Sequence, residues 1–305
     1  MRVGVIGGSG FIGSHLVDKL MDSGHEVTVF DIMTPHRRDV RHIVTDISDQ
    51  GRTTVALAGG YDAVYILAAV ANVNDVYHIP VESMNTNVMA VTHVLEAARR
   101  TGIKRVILAS TTWVYGMTAA PEVDEESPLS INMTGHVYTA SKVAAEMACV
   151  AYQKLYGIET TILRYGIPYG PRARMGTVLA TFVARALQRQ PIVIQGDGSQ
   201  WRRFVYVEDL AWGNVAALRP EAANQIFNLE GSERVSVRQV AEKVQSSFPG
   251  TEVRYTPARS GDLDPKLVSA VKAKKLLDWE PTVGFDEGSE LYIRWVNETS
   301  AAVPA

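Results

Sequence analysis

The sequence predicts an α/β protein with a Rossmann-type doubly wound parallel sheet, followed by a smaller mixed α/β lobe. Three observations support this fold class. Short apolar runs alternate with amphipathic helical patterns over the first half of the chain, a glycine-rich turn joins the first run to the first helix, and the rhythm changes after Gly166. Strands that are joined through helices of this length pair in parallel, and right-handed connections place the helices on both faces of the sheet.

Six strands and their connecting helices follow one another in the first half. The strand segments are VGVI, EVTVFD, RHIVTD, YDAVYILAA, KRVILAS and IETTILRYG. Helical patterns cover FIGSHLVDKLMDSG, residues 80–101 and residues 138–157, and the glycines that close them are Gly24, Gly102 and Gly157.

Turn-rich pieces and short helices in the second half predict two lobes. Residues 1–165 and 207–229 are assigned to the first lobe, because VEDLAWGNVAALRP has the pattern of an amphipathic helix and QIFNL that of a strand. Residues 166–206 and 230–298 are assigned to the second lobe. Residues 299–305 are expected to form a flexible tail, since ETSAAVPA lacks periodicity.

The composition is that of an ordinary globular protein. Of the 305 residues, 46% are hydrophobic and 21% charged, and the net charge is -3. This balance predicts no basic surface for nucleic acid or an anionic membrane, and no segment has the roughly 18 consecutive apolar residues of a membrane span. The lone Cys149, which is expected to be buried, cannot form an internal disulfide, and no Cys/His cluster has zinc spacing. We therefore expect a cytoplasmic protein without a metal.

The segment VGVIGGSGFIGSH has the pattern of a dinucleotide phosphate loop. Gly7, Gly10 and Gly13 match GxxGxxG, and glycine permits a tight turn and a close approach to a pyrophosphate. The N-terminus of the following helix offers unpaired N–H groups to the phosphates. EVTVFD ends in Asp31, whose carboxylate suits the adenosine ribose hydroxyls and repels a 2′-phosphate. The pattern therefore predicts NAD rather than NADP.

Two alternatives to this interpretation stay open. A glycine-rich turn followed by an unrelated aspartate would give the same pattern without a cofactor. The basic residues 36–38 are of the kind expected beside a 2′-phosphate, although a solvated loop also explains them.

YTASK places Tyr138 and Lys142 four positions apart, on one face of a predicted helix. A surface pair is the ordinary meaning of this spacing. Here, however, the preceding strand ends in ASTTWVYG, a cluster of hydroxyl groups at the edge where ligands bind in open α/β sheets. Tyr has a pKa of about 10, and a neighbouring ammonium group and a cofactor cation would favour its phenolate. The pattern predicts a base that removes a proton from a hydroxyl group.

The ordered motifs resemble the extended short-chain dehydrogenase/reductase family, in particular its NAD-dependent nucleotide-sugar epimerase/dehydratase branch. They occur in the family's order over residues 1–298. The motifs are GGSGFIG, Asp31, Asp46-Ile47, LAA at 67–69, Asn87, STTWVYG, YTASK, LRYGIPYGPR, RRFVYVEDLA and ARSGD.

The resemblance implies catalytic roles for three residues. Tyr138 would be the base, Lys142 would hold the nicotinamide ribose and tune Tyr138, and the hydroxyl of Thr111 would bridge Tyr138 and the sugar. Ser110 is the neighbouring alternative to Thr111.

The resemblance also implies an NAD-binding first lobe and a substrate-binding second lobe. Packing alone is an equally open role for Asn87 and Ala69. The implied cofactor-binding residues are Gly7, Gly10, Phe11, Ile12, Gly13, Asp31, Ile32, Asp46, Ile47, Leu67, Ala68, Ala69, Asn87, Ser110, Tyr138, Lys142 and Tyr165. The implied substrate-binding residues are Thr111, Thr112, Tyr138, Arg202, Arg259 and Asp262.

The chain departs from its dehydratase relatives directly after Thr111. Those relatives carry Asp-Glu where this chain has Thr112-Trp113, and the decarboxylating relatives also use a carboxylate nearby. The sequence therefore predicts no acid/base carboxylate beside Thr111. What remains is epimerisation at C4 through a transient 4-keto intermediate.

Two further departures affect the expected sugar pocket. Gly166-Ile167 stands where relatives have an aromatic residue followed by an Asn that contacts the diphosphate, and Ile cannot make that contact. Arg203 stands where relatives carry Asp, so it either joins Arg202 at the phosphates or forms a surface or salt-bridge contact.

These considerations predict an NAD-dependent nucleotide-diphosphate-sugar 4-epimerase that binds neither nucleic acid nor membrane. The alternatives are a dehydratase or oxidoreductase of the same family, or a non-catalytic NAD-sensing protein. A homodimer is expected, because helices 80–101 and 138–157 carry apolar residues on more than one face and the matching helices of relatives form a dimer interface.

Overall fold

The computed structural model describes residues 1–257 and 265–301 of the chain. The strands are β1 (Arg2–Ile6), β2 (Glu26–Asp31), β3 (Arg41–Val44), β4 (Ala63–Ile66), β5 (Arg105–Thr111), β6 (Glu122–Val123), β7 (Glu159–Tyr165), β8 (Ile167–Tyr169), β9 (Ile192–Gln195), β10 (Trp201–Tyr206), β11 (Gln225–Leu229), β12 (Arg234–Ser236), β13 (Val253–Thr256) and β14 (Leu267–Val268).

The helices alternate with these strands over the first half of the chain. They are α1 (Phe11–Asp22), α2 (Gln50–Leu57), α3 (Val73–His78), α4 (Pro80–Met84), a π-helical turn (Asn85–Met89), α5 (Ala90–Thr101), α6 (Val137–Tyr156), α7 (Val178–Leu187), α8 (Val207–Ala216), α9 (Val237–Ser247), α10 (Val271–Leu277) and α11 (Phe285–Ala301), with 3₁₀ turns at Thr112–Met117, Ile131–Met133 and Pro220–Ala222.

Seven strands form one parallel sheet in the order β11-β7-β5-β4-β1-β2-β3. Strand order reverses at β1, where Ile6 lies between Phe30 of β2 and Ile66 of β4. Ligands of open α/β sheets bind at such a switch point, beyond the carboxyl ends of the strands. The predicted Rossmann-type sheet is confirmed.

Apolar helix faces cover both sides of this sheet. On one side, α1, α8 and α10 contribute Leu16, Leu210 and Leu277 to a single core. On the other side, α2, α5 and α6 form a second core, which includes the buried Cys149. Because both faces are covered, the edge at the carboxyl ends of the strands is the surface that is left for a site.

The remaining strands form three small sheets, β12-β10-β8, β13-β9 and β14-β6. Helices α7, α9 and α11 pack on the first two of them around a separate aromatic and aliphatic core. β11 instead pairs with β7 in the large sheet, and α8 packs on α1. We keep the division into two lobes, with its boundaries at 165/166, 206/207 and 229/230, as a proposal that this arrangement supports.

The predicted helix over 80–101 is interrupted by the π-helical turn Asn85–Met89. A π turn accommodates an additional residue, and this one contains the buried Asn87. Periodicity did not indicate the interruption, because the polar Asn87 belongs to the interior. Gly102 and Gly157 end their helices with positive φ, as predicted. Among the described residues, no helix is long and apolar enough to cross a membrane.

Candidate active site

The turn between β1 and α1 brings the backbone close to the end of β4. Gly7 has φ +82°, and a Cβ there would lie 2.5 Å from the Ala68 nitrogen. A Cβ on Gly13 would lie 2.9 Å from the Gly8 Cα, so a larger residue at either position would force the turn open. Gly10 is exposed and caps α1 without a side-chain hydrogen bond. The first N–H groups of α1 therefore remain available to a pyrophosphate.

Asp31 lies beside this turn at the end of β2. One carboxylate oxygen accepts from the Ser9 N–H and the other from the Met33 N–H, both at 2.9 Å. Each oxygen keeps a lone pair for a ribose hydroxyl. Arg37, in the basic segment that could have favoured NADP, is held by the carboxylates of Asp39 and Asp22. The geometry around Asp31 suits the ribose of NAD.

The proposed adenine-side residues differ in exposure. Ile47 is buried, and its carbonyl lies 3.1 Å from the His93 Nδ1. The Asp46 carboxylate accepts from the Ser48 N–H, which together with the Ser48 hydroxyl lowers the pKa of Asp46. Ile32 is exposed.

The other proposed cofactor-side apolar residues lie around the turn. Phe11 is buried and Ile12 packs against the core on its side of the sheet. The N–H groups of Leu67 and Ala68 both donate to the Ile6 carbonyl, which holds the end of β4 against β1. Ala69 follows them and is half-buried.

Tyr138 lies at the start of α6, against the carboxyl end of β5. Its side chain is buried and shares a hydrogen bond with Thr111. Burial raises the pKa of Tyr138 to about 12, while the Thr111 hydrogen bond and the positive charge of Arg174 lower it. Without a cofactor, Tyr138 is therefore protonated at neutral pH. Arg174 is an electrostatic partner that the sequence alone did not single out.

Lys142 follows one turn later on α6. Its Nζ donates to the Ala109 carbonyl at 3.0 Å. Burial lowers the pKa of Lys142 to about 8, against the opposing effect of the Glu146 carboxylate. The ammonium group is thus held at the carboxyl end of β5, on the same helix as Tyr138.

A buried ion pair fixes α6 to β7 beneath these residues. Arg164 binds Glu146 through two hydrogen bonds of 2.7 and 3.1 Å. The Ser110 hydroxyl also donates to Glu146, at 2.5 Å. Because the Ser110 hydroxyl is engaged there, Thr111 supplies the hydroxyl that meets Tyr138.

Two proposed cofactor-side residues make internal contacts. Asn87 bonds both the N–H and the carbonyl of Val70 and donates to the Ser141 hydroxyl, and so ties the loop after β4 to α6. The buried Tyr165 hydroxyl donates to the Asn214 side chain in α8. Both residues therefore stabilise the elements that carry the site.

An open cleft lies between the sheet edge and the small sheets. Trp113 joins it to the candidate catalytic residues, since its ring packs edge-on against Tyr138 with centroids 6.3 Å apart. Arg259 and Asp262 lie outside the described residues, so the structure says nothing of their positions. The cleft is lined by Thr112, Trp113, Gly116, Ile167, Trp201, Arg202, Arg203, Glu230, Pro265, Lys266 and Val268.

The two arginines are adjacent on β10. Arg202 donates to its neighbour's carbonyl, that of Trp201, at 2.8 Å. Arg203 donates from Nη1 to the Val268 carbonyl at 3.1 Å. Both guanidinium groups belong to the cleft lining, which gives it a cationic side.

Glu230 is a site residue that the sequence analysis missed. It is buried, forms a hydrogen bond with Thr112 and accepts from the Gly231 N–H at 3.1 Å. Burial raises the pKa of Glu230 to about 8, against the effects of Gly231, Arg203 and Thr112. The expectation that no acid/base carboxylate lies beside Thr111 stays a prediction, but a residue distant in sequence places a carboxyl group against the neighbouring Thr112. The available indication was Gly166 in place of an aromatic residue.

The phosphate turn, Asp31 and the buried Tyr138 site define a dinucleotide-dependent enzyme fold of the extended short-chain dehydrogenase/reductase type. The model of the NAD dependent epimerase/dehydratase family matches residues 3–229, and the chain belongs to that family.

Individual relatives include both epimerases and decarboxylases. The chain is 35% identical over 302 residues to UDP-glucuronic acid decarboxylase 1 of Xenopus tropicalis, across 94% of this chain and 70% of the relative. It is 31% identical to the structure of UDP-glucose 4-epimerase from Thermotoga maritima with UDP-glucose, with a TM-score of 0.91 over 98% of this chain and 100% of the other.

A third relative was solved with a cofactor. It is UDP-glucuronic acid 4-epimerase from Bacillus cereus in complex with UDP-glucuronic acid and NAD, at 28% identity, TM-score 0.88, and coverage of 98% of this chain and 100% of the other. Together with the family match and the fit of the site, it identifies NAD as the cofactor.

Proposed function

We propose that the chain epimerises a nucleotide-diphosphate sugar at C4, through a transient 4-keto intermediate. The observation that carries this proposal is the buried contact between Tyr138 and Thr111, which Trp113 connects to a cleft with a cationic side. NAD, when bound, supplies the hydride acceptor and donor. Gly7, Gly10, Gly13 and the N-terminus of α1 would hold its pyrophosphate, with Asp31, Ile32, Asp46 and Ile47 at the adenosine, and Leu67, Ala68, Ala69, Ser110, Lys142 and Tyr165 towards the nicotinamide.

Tyr138 is the proposed base for the 4-hydroxyl proton. A pKa of about 12 makes the free tyrosine a weak base, so ionisation depends on nearby groups that favour the phenolate. Thr111 and Arg174 act in that direction. The Thr111 hydroxyl would also bridge the sugar oxygen and Tyr138 through hydrogen bonds, which positions the 4-hydroxyl for proton removal by Tyr138.

The cationic side of the cleft is the proposed site of the diphosphate. Arg202, Arg203 and Lys266 line it, and guanidinium groups bind phosphate oxygens bidentately. Thr112, which also lines the cleft, is the proposed sugar contact. We further propose that Arg259 and Asp262 contribute to binding of the nucleotide part of the substrate.

A decarboxylase is the second candidate. Similarity to UDP-glucuronic acid decarboxylase 1 and the presence of Glu230 near the catalytic threonine both favour it. Both reactions pass through a 4-keto sugar, so the fate of C6 separates them.

The test is product analysis by NMR with purified protein, NAD and a panel of UDP-, dTDP- and GDP-sugars, including UDP-glucose and UDP-glucuronic acid. We expect a C4 epimer with all sugar carbons retained. A pentose product with release of CO₂ would replace the proposal with decarboxylation. Retained NAD that no sugar reduces, with no product, would leave a non-catalytic NAD-binding protein.

A further inference from the structure

Glu230 and Gly166 occupy complementary positions at the sheet edge. Gly166 follows β7 and Glu230 follows β11, and the last residues of these strands, Tyr165 and Leu229, are paired. A Cβ on Gly166 would lie only 2.8 Å from the Glu230 Cδ, and nearer still to Oε1. The Glu230 carboxyl thus fills the space that a side chain at 166 would need. The carboxyl group of Glu230 therefore depends on the absence of a side chain at position 166.

The carboxyl group has a defined orientation. The Gly231 N–H and the Thr112 hydroxyl hold it, and it lines the same cleft as Trp113. Trp113 packs against Tyr138, so Glu230 belongs to the part of the cleft that adjoins the catalytic residues. A carboxylate at that place accepts hydrogen bonds and cannot donate them.

Within the described residues, the charged groups of the cleft lining around Glu230 are cationic. Among the described residues, Arg203 is the charged group that acts on it, and Arg202 and Lys266 are the other cationic side chains of the lining. Thr112, Trp113 and Ile167 also line the cleft and are uncharged. Within the described residues, Arg203 makes no ion pair with Glu230, and its buried Nε has no hydrogen-bond partner. In the part of the chain that the structure describes, the carboxyl therefore forms no ion pair.

We propose that Glu230 determines sugar specificity: its carboxylate accepts a hydrogen bond from a sugar hydroxyl and disfavours a sugar that carries a carboxylate at C6. This inference rests on the proposed function, since it takes the cleft as the sugar site. When this carboxyl group is ionised, the preferred substrate is a nucleotide hexose with neutral hydroxyl groups, and a nucleotide hexuronate is the disfavoured one.

The charge of Glu230 provides a readout that a purely structural residue would not show. Because burial raises its pKa to about 8, the carboxyl is charged above that pH and neutral below it. A hexuronate carboxylate, with a pKa of about 3 to 4, remains charged throughout. Repulsion of the hexuronate should therefore increase as pH rises through about 8.

The experiment measures dissociation constants of UDP, UDP-glucose and UDP-glucuronic acid by calorimetry on the NAD-bound protein. At about pH 9.5, we expect the wild type to bind UDP-glucuronic acid at least roughly tenfold less tightly than UDP-glucose, and at about pH 6.5 this ratio should shrink severalfold. Glu230→Gln keeps the shape of the side chain and leaves Arg202, Arg203 and Lys266 in place. In this variant, the ratio of the two dissociation constants should be nearly independent of pH. UDP alone should bind both proteins equally.

Glu125→Gln is the matched control. Glu125 is also a carboxyl whose burial raises its pKa, and it accepts from the Asn228 N–H, but it is not part of the cleft lining. This variant should keep the pH-dependent ratio of the wild type. If Glu230→Gln does not fold, the pH dependence of the ratio of dissociation constants in the wild type tests the proposal.

Two negative outcomes are distinguishable. If UDP binds but the ratio changes neither with pH nor in Glu230→Gln, the role of Glu230 is overturned and the proposed function stands. If UDP and both UDP-sugars fail to bind at either pH, the assignment to UDP-sugars is overturned, and the inference about Glu230 falls with it.

Discussion

At the scale of single residues, the site depends on how burial and neighbouring charges set proton affinity. Tyr138 and Lys142 are both buried on one helix, yet burial raises the pKa of the first to about 12 and lowers that of the second to about 8. Burial disfavours the charged form in each case, which is the phenolate of tyrosine and the ammonium of lysine. Groups that stabilise charge therefore control when Tyr138 can act.

Replacement of Tyr138 by Phe removes the proposed base and keeps the ring. We expect turnover to fall by roughly 10²- to 10⁴-fold, with folding and NAD binding retained. Thr111→Val should cost less, since it removes only a bridging hydrogen bond. Steady-state kinetics and cofactor content measure both effects, and Tyr156→Phe, an exposed tyrosine of the same helix, is the control. Near-normal turnover of Tyr138→Phe would exclude its role as base.

Asp31 predicts the choice of cofactor. Its carboxylate should make NAD bind more tightly than NADP, because a 2′-phosphate would meet a fixed negative charge. Asp31→Asn should reduce the difference between the affinities for NAD and NADP, because it weakens NAD binding and removes the repulsion of the 2′-phosphate of NADP. Fluorescence titration with both cofactors tests this, and equal affinities in the wild type would contradict it.

At the scale of elements, α6 is joined to the sheet by the buried pair Glu146–Arg164, whose side chains are 7% and 5% exposed. Arg164 also donates to the Tyr115 hydroxyl. That hydroxyl in turn donates to the side-chain oxygen of Asn228, the fourth residue of β11. This network connects the helix that carries Tyr138 with two adjacent strands. It thereby fixes the position of α6, which carries the proposed base.

Glu146→Gln should destabilise the protein by about 3–5 kcal/mol, since it leaves the Arg164 charge buried without its partner. Lys142 should also lose its proton at lower pH than in the wild type, because Glu146 raises its pKa. Chemical denaturation gives the free energy of unfolding. Glu252→Gln, which breaks an exposed pair with Arg254, should change it little. Equal stability of the two variants would contradict this role for the pair.

The sequence predicted most elements of the sheet because their patterns are local. The apolar runs, Gly102 and Gly157 indicated strands and helix ends without knowledge of the neighbours. The π-helical turn at Asn87 and the carboxyl of Glu230 were not predicted, since each depends on a partner distant in sequence. Residue patterns indicate where a strand or helix begins and ends. Which side chain fills the space between two elements is known only once the packing of both elements is known.

At the scale of the whole molecule, exposed apolar side chains on α6 support the proposed homodimer. Met147 and Leu155 lie two turns apart on α6 and are 67% and 72% exposed, and Met89, beside α5, is also exposed. Packing against a second copy would bury this stripe.

We expect a dimer by light scattering at micromolar concentration, and a shift to monomer for the double variant Met147→Glu, Leu155→Glu. Val55→Glu, on the exposed face of α2, should remain dimeric. A monomeric wild type would overturn the proposed assembly. If the double variant remains a dimer, the interface does not include Met147 and Leu155.

The order in which the chain builds its large sheet has a consequence for synthesis. β7 acquires its outer neighbour β11 only after β8, β9, β10 and α8 have been made. Until then, the apolar segment TTILRY has one unpaired edge, which is a template for association with other nascent chains. A ribosome-released fragment that ends before Gln225 should therefore aggregate, whereas one that includes Leu229 can close the sheet.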